Sequence, residues 1–89
     1  MIKRQVTIIN KLGLHARAAA KFVSTAAEYQ CNILVEKDGK QVDAKSIMSV
    51  MMLAASQGTM LEIILEGDDE AEAFLALAQL INDRFHEEQ

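Results

Sequence analysis

KLGLHARAA, the stretch Lys11–Ala19, joins a predicted strand to a predicted helix and places a histidine at the junction. Upstream, the segment from residue 2 to residue 9 alternates apolar and polar side chains over most of its length, as a half-buried strand does. Downstream, the segment from residue 16 to about residue 28 is rich in helix formers, with four alanines in its first five positions. The glycine turn between them predicts that His15 stands at the first turn of the helix.

The chemistry of this junction favours binding of an anion beside His15. The first N–H groups of a helix have no partner within the helix, and the helix dipole adds positive potential there. Arg17 supplies a cation that can pair with phosphate oxygens. A neutral imidazole has a free nitrogen lone pair, so this arrangement predicts a histidine that receives a phosphoryl group. Two alternatives stay open on pattern alone: an ordinary surface or core histidine at position 15, and a solvated helix residue at Arg17.

The motif Gly13-Leu14-His15-Ala16-Arg17, followed by Ala18-Ala19, resembles the HPr family, the phosphocarrier proteins of the phosphoenolpyruvate-dependent phosphotransferase system. Members of that family usually have proline where this chain has Ala18. The resemblance implies that His15 accepts phosphate through Nδ1 from phosphorylated enzyme I, with Arg17 stabilising the phosphate, and passes it to an enzyme II A component. Alanine in place of proline predicts an intact site with a less rigid turn at the start of the helix, because proline presets φ at a helix start.

The remaining segments predict an α+β protein, a single domain spanning residues 1–89, with the element order βαββαβα. The Asp38-Gly39 pair predicts a tight hairpin between the second and third strands. The later predicted elements are strands over Cys31–Glu36, Lys40–Asp43 and Met60–Glu66, a short helix over Ile47–Ala54, and a last helix after Gly67-Asp68-Asp69. We therefore expect a four-stranded antiparallel sheet with three helices on one face. The resemblance implies the same architecture, the HPr-like open-faced β-sandwich.

The last helix carries an apolar stripe at helical spacing, which predicts the face that covers the sheet. The stripe consists of Phe74, Leu77, Ala78, Ile81 and Phe85, widened by Leu75 and Leu80. Beyond it, residues 84–89 are interpreted as a frayed acidic tail in which His86 is solvated. The Glu87-Glu88 pair is interpreted as tail charge rather than as an acid/base couple.

A second notable segment, residues 45–53, contains no acidic residue and several methionines. Ser46 is a predicted N-cap, and Val50 and Leu53 are predicted core residues. A short helix buries one face only, so other apolar side chains should stay exposed, and methionine adapts to several partners. The predicted docking surface beside His15 consists of Ile47, Met48 and Met51, together with Ala20 and Lys45. The alternative is a buried helix with a serine cap.

The Lys45-Ser46-Ile47-Met48 stretch also resembles the regulatory site of those HPr proteins that a dedicated serine kinase/phosphorylase modifies. A phosphate at Ser46 adds about −1.5 to −2 charge at a helix N-terminus, which the fold tolerates and an acidic partner does not. The hypothesis is that phosphorylation of Ser46 slows phosphoryl receipt at His15.

Composition narrows the remaining function classes. Nine basic and 13 acidic residues give a net charge of −4, so the chain has no basic footprint for nucleic acid, and no segment reaches the roughly 20 apolar residues of a membrane span. Cys31, the single cysteine, is a predicted core thiol, and no signal-like segment is present, which favours a cytoplasmic monomer. No zinc ligand set or glycine-rich nucleotide loop is recognisable, so no metal or cofactor is expected.

These observations predict a phosphocarrier intermediate rather than a free-standing catalyst. One rival is a regulatory binding module, of a nitrogen-type or kinase-linked branch, that acts by docking to a kinase or a transcription regulator. A weaker rival is a domain that binds a small ligand, which is disfavoured because no apolar pocket with converging polar groups is visible in the sequence. The choice between sugar uptake and regulation stays open.

Overall fold

The computed structural model describes all 89 residues, Met1–Gln89, as a sheet covered on one face by helices. The strands are β1 (Ile2–Thr7), β2 (Asn32–Lys37), β3 (Lys40–Asp43) and β4 (Met60–Glu66). The helices are α1 (Ala16–Ala27), α2 (Ile47–Met51) and α3 (Glu70–Asn82), and a 3-10 turn, Arg84–His86, follows α3. The longest helix, α3, has 13 residues, and none of the helices could cross a membrane. The predicted α+β class and element order are confirmed.

The sheet has the order β1-β4-β2-β3, and every neighbouring pair is antiparallel. In β4, Leu61, Ile63 and Leu65 alternate with more exposed residues, as predicted, and all three are buried under the helices. The register places Val35 of β2 opposite Ile63, and both side chains are fully buried. Alternation with a period of two thus gives the sheet one apolar face.

The hairpin between β2 and β3 has the predicted two-residue turn. Asp38 and Gly39 both have positive φ, of 52° and 83°, between the paired residues Lys37 and Lys40. Positive φ at both central positions defines the type I′ turn, whose twist matches that of the strands.

Predicted element boundaries are wrong at helix α2 and in the first two strands, and β2 runs over Asn32–Lys37 rather than Cys31–Glu36. The helix α2 ends at Met51 rather than Ala54, since Ala54 has a left-handed φ of 51°. Strand β1 ends at Thr7 rather than Ile9. Past β1, Ile8 pairs with the loop before β4. Its N–H donates to the carbonyl of Thr59 over 2.9 Å, and its carbonyl accepts from the N–H of Gly58 over 2.7 Å.

The predicted stripe on the last helix is correct at Leu77, Leu80 and Ile81, which are buried, and wrong at Leu75, which is 67% exposed. A position two residues before Leu77 lies about 200° away around the helix, and therefore faces solvent. Ala73, which the stripe omitted, is fully buried. Phe85 is buried as predicted, although it lies in the turn after α3 and not on the helix.

Candidate functional site

A glycine turn between β1 and α1 brings His15 to the start of the helix. Gly13 has a φ of +69°, and its N–H donates to the carbonyl of Asn10 over 3.2 Å. Leu14 is buried, and its N–H donates to the carbonyl of Ala55 over 2.8 Å. These bonds fix the chain on both sides of the turn, so His15 becomes the N-cap residue of α1 with an extended backbone.

The N-terminus of α1 presents three N–H groups that no group of the chain accepts. The first hydrogen bond at this end runs from the N–H of Ala19 to the carbonyl of His15, over 2.8 Å. The preceding N–H groups, those of Ala16, Arg17 and Ala18, have no backbone acceptor, and no side chain caps the helix. Together they form the positive end of a helix beside an imidazole, which is a favourable place for an anion.

The other predicted groups of this junction differ in exposure. The side chain of His15 is 29% exposed, so the ring is accessible from solvent. Arg17 is exposed and forms no ion pair within the chain, which leaves its guanidinium free for an external anion. Ala18 is fully buried, whereas Ala16 and Arg17 are exposed, so the N–H groups of these two residues are the ones nearest solvent.

The interpretation of residues 84–89 as a frayed tail is wrong. Arg84, Phe85 and His86 all have positive φ, between 53° and 64°, and this left-handed turn reverses the chain. Phe85 is fully buried, and its carbonyl accepts a 2.7 Å hydrogen bond from Nζ of Lys21. The end of the chain is therefore anchored against α1, and it returns Glu87 to the histidine.

Glu87 is a residue of the site that the sequence interpretation missed. Its Oε2 pairs with Nε2 of His15, and its Oε1 accepts a 2.9 Å hydrogen bond from Nδ2 of Asn10. Its side chain is only 15% exposed. Asn10 was also missed, although it is fully buried and donates a second bond, of 2.8 Å, to the carbonyl of Gly13. An asparagine before a turn glycine was the only local signal in the sequence.

The electrostatics of Glu87 follow from these contacts. Burial of the carboxylate by itself raises its pKa. The hydrogen bonds from His15 and Asn10, with the charges of His15 and Lys21, outweigh burial and hold the pKa of Glu87 below its ordinary value of 4.5. The carboxylate therefore stays ionised against the ring at neutral pH.

The histidine opens onto a cleft of about 680 Å³ between the N-terminus of α1 and the end of the chain. Only two of its eight lining residues are hydrophobic. The lining consists of Lys11, Leu12, His15, Ala16, Arg17, Glu87, Glu88 and Gln89. The backbone N–H of Lys11 donates to the carbonyl oxygen of Gln89 over 3.0 Å, which closes one wall of the cleft. A charged, open cleft suits a small anion better than an apolar ligand.

Helix α2 has the predicted cap and core. The hydroxyl of Ser46 accepts a 3.4 Å hydrogen bond from the N–H of Ser49 and donates to the hydroxyl of Ser49 over 3.0 Å. Val50 and Leu53 are buried, as predicted.

The opposite face of α2 is exposed and apolar. Ile47 is 40% exposed, Met48 67% and Met51 38%, and Met52 adds a further exposed methionine. The alternative of a buried helix with a serine cap is thus wrong, because these apolar side chains of α2 are exposed.

The structure also orients α2 relative to His15. The C-terminal end of α2 leads to Ala55, which is bonded to Leu14 beside the histidine. At the other end, Nζ of Lys45 donates over 2.7 Å to the carbonyl of Tyr29, just beyond the last turn of α1. The side chain of Lys45 therefore reaches the end of the 12-residue helix α1 that is remote from His15. Ala20 and Lys45 are both half-buried.

Other candidate groups lie away from the site. Cys31 is buried, as predicted, and burial, followed by a hydrogen bond and the charge of Asp69, raises its pKa. Asp69 starts α3 without capping it, because its carboxylate accepts the N–H groups of Gln30 and Cys31 at 2.8 and 2.9 Å. His86 is exposed.

The fold and site define a class of small α+β protein: an antiparallel sheet under three helices, with an accessible imidazole at the start of the first helix. The family model described as "PTS HPr component phosphorylation site" matches residues 2–83. The chain belongs to the HPr family, the phosphocarrier proteins of the phosphotransferase system.

Individual relatives agree with this assignment over nearly the whole chain. The phosphocarrier protein HPr of Pseudomonas aeruginosa is 58% identical over 84 residues, which cover 93% of each chain. That of Xylella fastidiosa, strain Temecula1, is 49% identical over 88 residues, or 99% of each chain. The crystal structure of an HPr from Thermoanaerobacter tengcongensis superposes with a TM-score of 0.96 at 52% identity, covering 100% of both chains.

Proposed function

We propose that this chain accepts a phosphoryl group on His15 from phosphorylated enzyme I and passes it to an enzyme II A component. The observation that carries the proposal is the accessible imidazole at the N-terminus of α1, next to three N–H groups without an acceptor. Phosphoryl transfer asks a protein mainly for positioning and for stabilisation of charge, and this junction supplies both.

The transfer step balances without a further reactant. A lone pair on the Nδ1 atom of His15 attacks the phosphorus of a phosphohistidine donor and forms a new N–P bond. The donor's N–P bond breaks, and its electron pair returns to the donor imidazole. The N–H groups of Ala16 and Arg17 and the guanidinium of Arg17 then bind phosphate oxygens. The same step in reverse passes the group to the next histidine, so the chain is an intermediate and not a free-standing catalyst.

The direct test is intact-protein mass spectrometry after incubation with phosphoenolpyruvate and an enzyme I. We expect an acid-labile phosphoryl adduct on the wild type and none on the His15→Ala variant. His86→Ala is the matched control, because it removes the only other histidine, which is exposed and outside the site. No adduct on a folded wild type, with an active enzyme I, would refute the carrier proposal and favour a regulatory binding module.

The exposed face of α2 is the proposed docking surface for both protein partners. Its residues are Ile47, Met48 and Met51, with Ala20 and Lys45 at its border. We expect Met48→Asp to weaken docking and to leave the fold intact, because Met48 is 67% exposed. Leu75→Asp is the matched control, since Leu75 is equally exposed on a different helix. Equal rates of acceptance by the two variants would contradict this assignment.

Regulatory phosphorylation at Ser46, by a serine kinase/phosphorylase, is proposed for the same surface. The supporting observation is that Ser46 caps α2 directly before Ile47 and Met48. A phosphate there places negative charge at the edge of the docking surface. We expect Ser46→Asp to slow acceptance, and Ser24→Asp, which adds the same charge on α1, to have a smaller effect.

The site of action and the oligomeric state belong to the same proposal. We propose a cytoplasmic monomer, although a related crystal structure is that of an HPr dimer from T. tengcongensis, 52% identical. Light scattering at the concentrations of the transfer assay tests the monomer directly. A dimer mass under those conditions would overturn this part of the proposal.

A further inference from the structure

The end of the chain is built to hold one carboxylate against the histidine. The left-handed turn at Arg84–His86 and the buried ring of Phe85 fix the direction of the last residues. A hydrogen bond from the N–H of Lys11 to the carbonyl oxygen of Gln89 holds the terminus on the far side. Between these two anchors, Glu87 reaches Nε2 of His15. This residue lies beyond position 83, where the match to the family model ends.

The contact between Glu87 and the ring determines which imidazole nitrogen carries a proton. An ionised carboxylate can only accept hydrogen bonds, so Nε2 of His15 must donate to it. In a neutral ring with its proton on Nε2, the lone pair is on Nδ1. The nucleophilic nitrogen is thus the one that does not face the carboxylate.

Asn10 orients Glu87 and ties it to the turn that carries His15. Its Nδ2 donates to the carbonyl of Gly13 over 2.8 Å and to Oε1 of Glu87 over 2.9 Å, whereas its buried Oδ1 has no partner. The reversed amide would direct its oxygen at two acceptors, which is unfavourable. The amide therefore uses both of its protons to join the turn to the carboxylate.

We propose that Glu87, oriented by Asn10, is a positioning residue that holds His15 as its Nε2–H tautomer, with Nδ1 free for phosphoryl transfer. This inference rests on the proposed function of His15 as the phosphoryl acceptor. During transfer, Nδ1 forms its bond to phosphorus, Nε2 keeps its proton, and the carboxylate balances the positive charge that the ring gains. The arrangement follows the principle by which a buried carboxylate orients a catalytic histidine from its other nitrogen.

Glu87→Gln is the informative variant because it preserves shape and removes the acceptor-only character of the side chain. The amide of glutamine has one acceptor and one donor end, whereas His15 and Asn10 both present donors to this position. One of the two contacts must therefore be lost, or the ring must accept at Nε2 and move its proton to Nδ1. Glu88→Gln is the matched control, because Glu88 is exposed and adjacent in sequence.

The test combines the ¹⁵N spectrum of His15, recorded at about pH 8 where an ordinary imidazole is neutral, with the rate of phosphoryl acceptance. In the wild type and in Glu88→Gln, we expect the Nε2–H tautomer to predominate. In Glu87→Gln, we expect a larger Nδ1–H population and acceptance slower by about tenfold, the effect typical of losing a hydrogen bond to a charged group.

Each other outcome overturns the inference. An unchanged tautomer in folded Glu87→Gln would show that the carboxylate does not set the proton's position. A shifted tautomer in Glu87→Gln with an unchanged rate of phosphoryl acceptance would show that Glu87 has no role in transfer. Faster acceptance by Glu87→Gln would show that the carboxylate of Glu87 repels the incoming phosphoryl group. If the wild type accepts no phosphoryl group, the carrier proposal fails, and the spectra still report separately on whether Glu87 sets the tautomer.

Discussion

Replacing Gly13 by alanine is expected to destabilise the fold more than the same change at Gly39. The backbone at Gly13 has a φ of +69°. A Cβ built there would lie 2.5 Å from the carbonyl oxygen of Ala55 and 2.8 Å from Cα of Ser56. Both are backbone atoms, so no side-chain rotation can relieve the contact. The loop after α2 must move for the variant to fold.

The expected loss of free energy of unfolding in Gly13→Ala has two parts. A left-handed backbone costs an L-residue about 1–2 kcal/mol, partly offset by the lower entropy of the unfolded chain, worth about 0.4–1 kcal/mol. Overpacking against atoms that cannot rotate away adds about 1–3 kcal/mol. We therefore expect Gly13→Ala to lower the free energy of unfolding by about 1–5 kcal/mol, with about 3 kcal/mol as the central value. Gly39→Ala separates the two parts, since Gly39 has a φ of +83° and a Cβ added there would meet no atom of a non-neighbouring residue within 4 Å.

The assay is urea unfolding followed by far-ultraviolet circular dichroism, with the two variants and the wild type measured together. Gly39→Ala should lose about 1 kcal/mol, which is the conformational part alone. Equal losses for the two variants would refute the reasoning, because they would mean that the close approach of Gly13 to the loop after α2 carries no energetic weight.

Three further predictions concern the core, the helix entry and the tail. Leu77→Ala should destabilise by about 2–5 kcal/mol and Leu75→Ala by less than about 0.5 kcal/mol, as measured by urea unfolding, because the first residue is fully buried and the second is 67% exposed. Ala18→Pro should stabilise by about 0.4–1 kcal/mol, since the N–H that it removes has no acceptor; a loss of stability would show that the proline ring does not fit this buried position. The pKa of Glu87 is held low in the folded chain, so its contact with His15 contributes fully above the ordinary value of 4.5 and is lost as pH falls through the lower folded value. The carboxyl ¹³C signal of Glu87 should therefore titrate at lower pH in the protein than in a peptide of residues 84–89, and coincident titrations would contradict this prediction.

The elements with strong local signals were predicted closely. Strands β3 and β4 have the predicted bounds, and the Asp38-Gly39 pair forms the predicted turn. Helix α2 was predicted too long because its apolar run contains no glycine or proline, and the residue that turns the chain, Ala54, adopts a left-handed φ without any sequence signal. Tertiary contacts of the loop, such as the bond from Leu14 to Ala55, impose that turn.

The candidate site was predicted only in part, because some of its features follow from local sequence and others from tertiary contacts. The position of His15 follows from local rules, since a glycine turn and an alanine-rich segment define where the helix begins. The contact with Glu87 joins residues 72 positions apart, and two adjacent glutamates near a chain end look like solvated charge. The burial of Phe85, the left-handed turn around it and the hydrogen bonds from Lys21 and Lys11 to the backbone of the tail give the tail a fixed direction.

The distribution of cations around the histidine bears on how firmly a phosphate would be held. On α1, Lys21 is bonded to the carbonyl of Phe85 and Arg17 forms no ion pair; Lys11, which also lines the cleft, forms none either. Glu87 adds a negative charge at Nε2 of the ring. A carrier must release its phosphoryl group to the next protein, and each additional cation at the site would deepen binding of the group without helping its departure. The use of backbone N–H groups with few free cations therefore suits transfer better than retention, and it predicts that Glu87 acts on the imidazole rather than on the phosphate.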